Sequence, residues 1–249
     1  MSNSSKKTKV KRTKKSRRGR KPKQDHFLYS GLEKDQIIVP RRFRAFPPSM
    51  VTTLTFMSTL HSPLNNAGLT YASFRLRPSS AFDVDPTIGG TSMPGFNEIA
   101  GAYGRYRMIR FRTSVTAVNL ETFPVNLIAF PSNFDLGNNY SLVQSMFGNT
   151  FASYRYLSPQ GGLDRATIRT RWYTAAEILG TDAPLVDTDF SATVATSPVN
   201  NTYMNYGIWT GNASNLVSGI GLQVTLDIEY RFYEAFHLVT LPVPTSPQT

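Results

Sequence analysis

The 249-residue sequence has no cysteine. That excludes disulfides, thiol nucleophiles and cysteine-held zinc or iron–sulfur centres. Histidine is nearly missing too. His26, His61 and His237 each stand without a second histidine at ligand spacing, so each is expected at the surface or at a cap. No apolar run approaches the roughly 18 residues of a membrane-spanning helix, so no membrane insertion is expected. The basic, polar start is followed by no apolar stretch of the kind that marks a secretory signal. The motifs GxSxG, HExxH and GxxxxGK[ST] and the calcium-loop pattern DxDxDG are all absent. The expectation is a protein that is not an enzyme and needs no cofactor.

Charge is unevenly distributed. Residues 1–23 contain no acid and no aromatic, yet hold twelve of the 27 lysines and arginines. These are Lys6, Lys7, Lys9, Lys11, Arg12, Lys14, Lys15, Arg17, Arg18, Arg20, Lys21 and Lys23. Residues 24–249 carry fifteen Lys and Arg against sixteen Asp and Glu, and Lys34 is their only lysine. The net charge of +11 therefore belongs to a leader in front of a near-neutral body. With Val10 as its only branched apolar residue, the leader cannot bury enough surface to offset ordering entropy, and disorder is expected. Each phosphate it neutralises releases counterions, so it is expected to bind nucleic acid without reading sequence. A nuclear-localisation signal is an alternative role that can coexist with this one. Residues 24–48 form a linker or interface arm whose Arg41, Arg42 and Arg44 are further candidates for phosphate contact.

The body, residues 49–240, has period two. Ile220, Leu222, Val224, Leu226, Ile228, Tyr230 and Phe232 alternate with Gly221, Gln223, Thr225, Asp227, Glu229 and Arg231. This is a long half-buried strand, and its apolar face needs a second layer. Residues 50–60, 69–77, 150–157 and 203–209 predict further strands. So do residues 123–129, where Pro124 predicts an edge or an unpaired start. Residues 103–119 also alternate, but the phase slips at Met108-Ile109, which predicts a bulge. Residues 165–172 alternate in a way that places Arg165, Arg169 and Arg171 on one face; Arg75 and Arg77 likewise share a face. Pro94 predicts the first turn of a short helix reaching Ala102, Leu142–Phe147 a second, and Thr174–Leu179 a third that ends at Gly180. Residues 181–202 read as loop, and residues 241–249 as a Pro-rich tail. Parallel α/β architecture needs a crossover helix between strands, and the chain has none. The prediction is an all-β, eight-stranded antiparallel jelly-roll sandwich with short helices in its loops.

Candidate sites within the body are few. Asp83 with Asp85, and Asp187 with Asp189, are weak candidates for holding calcium where subunits meet; as ordinary turn residues they need no ion. A strand face bearing several arginines is a solvated face, a subunit contact or a wall facing nucleic acid, and parity does not rank these.

The runs Phe74-Arg75-Leu76-Arg77-Pro78, Phe82-Asp83-Val84-Asp85-Pro86, Gly95-Phe96-Asn97-Glu98 and Tyr103 to Arg107 resemble capsid proteins of small circular Rep-encoding single-stranded DNA viruses. Those are similar in fold to shell domains of small plus-strand RNA viruses. The resemblance implies a single jelly-roll coat subunit and a homo-oligomeric icosahedral shell of 60 copies or a multiple. It also implies a basic arm on a single-stranded genome, DNA rather than RNA, and residence in the virion with passage through the host nucleus during assembly. Calcium at subunit interfaces occurs in some RNA-virus relatives. Ending at Thr249 on a short tail, the chain is expected to carry no separate protruding domain. A non-viral nucleic-acid-binding sandwich and a carbohydrate-active or carbohydrate-binding sandwich are the competing expectations.

Overall fold

The computed structural model describes residues 46–59, 64–65, 68–136, 146–160 and 165–235. The predicted basic arm, most of the linker, the three histidines, the start of the predicted 142–147 helix and the tail lie outside them. Ten strands and two short helices follow in order: β1 (Ser49–Thr59), β2 (Tyr71–Leu76), α1 (Phe96–Ala100), β3 (Tyr103–Asn119), β4 (Val125–Ser132), β5 (Ser153–Leu157), β6 (Ala166–Arg169), β7 (Tyr173–Thr174), α2 (Ala175–Leu179), β8 (Ser191–Thr193), β9 (Tyr203–Thr210) and β10 (Ile220–Ala235).

They form two antiparallel sheets. In the first, β1, β10 and β3 lie side by side, and β8, β7 and β6 occupy successive stretches of the far edge of β3. The second runs β2-β9-β4-β5. The ten strands thus fill eight positions. The chain passes repeatedly from one sheet to the other, as the jelly roll does. The predicted fold class holds.

β10 is the centre of the first sheet. Its alternation resolves as expected, with Leu222 to Phe232 inward at every second position. It pairs with β1 over Ser49↔Tyr233 to Thr59↔Gln223 and with β3 over Ile220↔Asn119 to Ala235↔Tyr103. The expected bulge is present. Glu229 faces Arg110 while Tyr230 faces Met108, so Ile109 is the extra residue. Above it Phe111, Thr113, Val115 and Ala117 point inward, and below it Tyr106 and Met108 do.

Between the sheets Phe96 meets Tyr106 edge to face at 5.2 Å, and Tyr106 meets Tyr230 at 5.8 Å. Such pairs contribute about 0.5–1.5 kcal/mol each beyond area burial. The buried phenols keep partners: Tyr230 donates to the Pro78 carbonyl at 2.7 Å, Tyr106 to the Thr196 carbonyl at 2.8 Å, and the Tyr206 and Thr113 hydroxyls meet at 2.7 Å. Burial raises the pKa of Tyr206 and Tyr230 above the ordinary phenol value.

A buried carboxylate fixes one end of the sandwich. One oxygen of Glu121 accepts the N–H groups of Val217, Ser218 and Gly219 at 2.6–2.8 Å. Gly219 has φ +72, and a side chain there would press on the Leu64 carbonyl, so only glycine fits this approach.

Four local expectations need correction. α1 starts at Phe96 behind a left-handed Gly95, not at Pro94; φ 79 at Gly95 stops the helix from extending backward. Of the two readings of Pro124 the edge fails and the unpaired start holds: β4 is an interior strand between β9 and β5, with Pro124 just before its first paired residue, Val125, and Pro131 beyond Ala129, where pairing to β5 stops. The 165–172 strand ends at Arg169, and the chain rejoins the edge only at Tyr173. The 181–202 segment is not all loop; it holds two 3-10 turns and β8. By contrast, α2 matches its reading. Thr174 and Glu177 form a reciprocal capping box, and Gly180 closes the helix at φ 66.

Candidate nucleic-acid interface

The bulge decides where the arginines of β3 point. Arg105 and Arg107 are odd-numbered, Arg110 and Arg112 even-numbered. In an unbroken strand the two pairs would face opposite sides. The extra residue Ile109 puts all four on the outer face of the first sheet, with Arg231 of β10 and Arg169 of β6 beside them.

The upper pair is neutralised. Arg110 donates twice to Glu229, at 2.9 and 2.7 Å, and Arg112 donates to Asp227 at 3.0 Å. Both guanidinium groups lie 4.8 Å from the centre of the Trp172 ring. Trp172 is therefore a plate under two cations, a role its place in the alternation did not indicate. Half-exposed pairs of this sort contribute below about 1 kcal/mol each.

The lower pair has no ion-pair partner among the described residues. Arg105 donates to the Ser191 hydroxyl at 3.2 Å and Arg107 to the Asp187 carbonyl at 2.7 Å. In the register Arg107 stands opposite Arg231 and Arg105 opposite Tyr233. Arg231 is exposed and makes no ion pair among the described residues.

The arginines singled out from the sequence are mostly occupied. Arg75 pairs with Asp135 at 2.7 Å. Arg77 lies past the end of β2, 3.7 Å from Asp83 and 3.3 Å from the Ser197 hydroxyl. Arg171 pairs with Glu177 at 2.9 Å and covers Tyr173; the Thr174 amide, and then that pairing, lower the Glu177 pKa. Of Arg165, Arg169 and Arg171, only Arg169 lies in a strand, so they share no strand face.

Asp83 and Asp85 do not converge. Asp83 turns toward Arg77 and the Thr91 amide, whereas Asp85 is buried and accepts from the amide and hydroxyl of Thr87. The Asp187 carboxylate accepts the Asp189 amide as a turn cap. Among the described residues no three acidic or histidine side chains gather where an ion would sit. The twelve leader cations and Arg41, Arg42 and Arg44 lie outside the described residues.

The outer face of the second sheet differs. Ile128, Phe130 and Leu136 are buried there under Met146, Phe147, Ala152 and Trp209. Phe147 meets Trp209 edge to face at 4.1 Å. Beside this patch Tyr154 and Tyr156 are exposed by 63% and 64%.

No family model matches the chain, and no curated protein does. Solved structures with a similar layout include Desmodium yellow mottle tymovirus, at 10% identity over 84% of this chain and 94% of that one, with a TM-score of 0.38. A semi-empty VLP of the giant freshwater prawn Macrobrachium rosenbergii nodavirus matches at 11% identity over 78% and 98%, with a TM-score of 0.45. Tobacco necrosis virus matches at 14% identity over 76% and 97%, with a TM-score of 0.41. Likeness at this level assigns no function to this chain, and the jelly roll rests on the chain's own strand pairing.

Proposed function

We propose that this chain is the coat subunit of a small icosahedral virus. The body, residues 49–240, docks with copies of itself through residues 24–48 and its own flanks. The leader, residues 1–23, grips a single-stranded genome, assigned as DNA on the sequence resemblance. The observation that carries the reading is the split between a jelly roll of eight strand positions with balanced charge and a leader of twelve cations without an acid. A soluble binding module has no need to separate its charge so completely. A shell does, because subunits must approach one another while their cations gather on one polyanion. Sixty copies would bring about 720 leader charges to the genome, enough to make assembly strongly salt-dependent. The role is structural rather than catalytic, and the same leader serves as a nuclear address.

The test mixes purified chain with single-stranded DNA or RNA at low salt, then sizes and images the product and digests it with nuclease. The expected result is a uniform particle, about 1.7 MDa for sixty copies of a 27.8 kDa chain, with protected nucleic acid. A complex of a few subunits would favour the non-viral nucleic-acid binder, and a persistent monomer would defeat the proposal. Deleting residues 1–23 is expected to leave cooperative unfolding intact while lowering nucleic-acid content.

A further inference from the structure

Arg105, Arg107 and Arg231 surround a cleft of about 320 Å³ on the outer face of the first sheet, with Thr188, Tyr233 and Glu234 among its walls. We propose that this cleft is a built phosphate site that holds the backbone of a single-stranded nucleic acid against the body. The proposal rests on the reading of the chain as a nucleic-acid-packaging subunit and locates a contact outside the leader.

Three observations carry it. First, Arg107 and Arg231 face each other across the β3–β10 ladder. Like charges placed directly opposite destabilise a sheet, so an anion seated between them is favoured. Second, the two β3 arginines are positioned by neutral acceptors, the Ser191 hydroxyl and the Asp187 carbonyl, which orient the heads without cancelling their charge. Their Nε atoms are buried and have no hydrogen-bond partner. Third, the same face supplies its own contrast: two residues above the bulge, Arg110 and Arg112 each have a carboxylate one strand away. Glu234 is the one acid lining the cleft, and it makes no ion pair with the three arginines.

Guanidinium forks match pairs of phosphate oxygens. Arg105 and Arg107, about 7 Å apart along the strand, suit neighbouring phosphates of an extended chain, with the Tyr233 ring beside them for a base to stack on. The rival occupant is an acidic surface of a second copy. Asp83, Asp135, Asp227, Glu177 and Glu229 already serve arginines and Asp85 and Glu121 are buried, but Glu98, Asp182, Asp187 and Asp189 are exposed and in no ion pair among the described residues, so the experiment separates the two occupants.

The test uses the full chain, fluorescent oligo-dT and oligo-U, and affinity measured across a salt series. The variants are R105Q/R107Q/R231Q and, because Arg231 is exposed and cannot upset the fold, R231Q alone. Arg155→Gln, on the edge of the second sheet, is the control. The triple variant is expected to bind about tenfold more weakly near 0.1 M salt, and its slope of log affinity against log salt should shrink by about 2; R231Q should lose about 0.7 of slope. Losses should be equal for both probes, because the phosphodiester is common to them, and the control should lose nothing. If intact chain binds and assembles but the variants keep its affinity and slope, the cleft is refuted and the shell reading stands. Variants that lose self-association without any oligonucleotide, yet bind it normally, would assign the cleft to a second copy and also refute the proposal. Intact chain that neither binds nor assembles defeats the packaging reading itself.

Discussion

The two outer faces of the sandwich are built from strands of the same kind and end in opposite chemistry. The first sheet shows arginine at six outer positions of β3, β6 and β10; the second shows Tyr154, Tyr156 and Trp209 around a small apolar cluster. The inner faces are alike, filled by aliphatic and aromatic side chains. What a sheet does at its surface is thus independent of what holds it to its partner. The bulge at Ile109 is what lets two arginine pairs of opposite parity face the same side. The second face is overlaid by its own loop, residues 146–152, so β4 is buried on both sides.

The strongest challenge to this contrast is an alanine inserted between Glu229 and Tyr230, opposite Ile109. With the bulge cancelled and every β3 residue kept, one arginine pair must turn inward, and an unpaired buried charge costs several kcal/mol. The variant is expected to lose cooperative thermal unfolding altogether; a normal transition would show that the bulge does not set the face. Phe147→Ala tests the other side. It strips the ring that meets Trp209 and should cost about 2–3 kcal/mol by denaturant titration while leaving oligonucleotide affinity unchanged. A fall in affinity would mean the aromatic face also contacts nucleic acid.

High pH probes the interior that both faces share. Tyr206 and Tyr230 have phenol pKa values raised by burial in the fold. Their contribution is complete below the unfolded value near 10 and is lost as pH rises through it, at up to about 1.4 kcal/mol per pH unit for each. Unfolding followed by circular dichroism should therefore weaken above pH 10, and Tyr206→Phe should flatten the decline. Glu229→Gln is the mildest change. It releases Arg110, costs below about 1 kcal/mol, and should raise oligonucleotide affinity by a few fold on the arginine face alone.

Much of the fold was legible. The period-two run of β10 is long enough to leave no competing pattern, and the phase slip at Met108-Ile109 located the bulge because only an extra residue keeps both halves apolar inward. Gly180 marked the end of α2, since caps are local chemistry, whereas the capping box of Thr174 and Glu177 emerged only in the structure. β8 was missed because three residues on an edge carry no period. The cluster under Phe147 was missed because a loop folding back on a sheet leaves no repeat in sequence. The arginines were the hardest to read. Parity placed Arg75 correctly on a face but could not show that Asp135 meets it, and it passed over Arg231, whose lack of a partner depends on a neighbour 124 positions away, Arg107. Pairing of charges is a long-range property, and alternation reports only local geometry.

The far edge of β3 has a further consequence. Because β6, β7 and β8 dock there as three separate clasps, residues 170–172 and 175–190 between them can change in length without unzipping the border they close. Surface novelty on this molecule is therefore cheapest at that margin, where a new excursion leaves each clasp in its place.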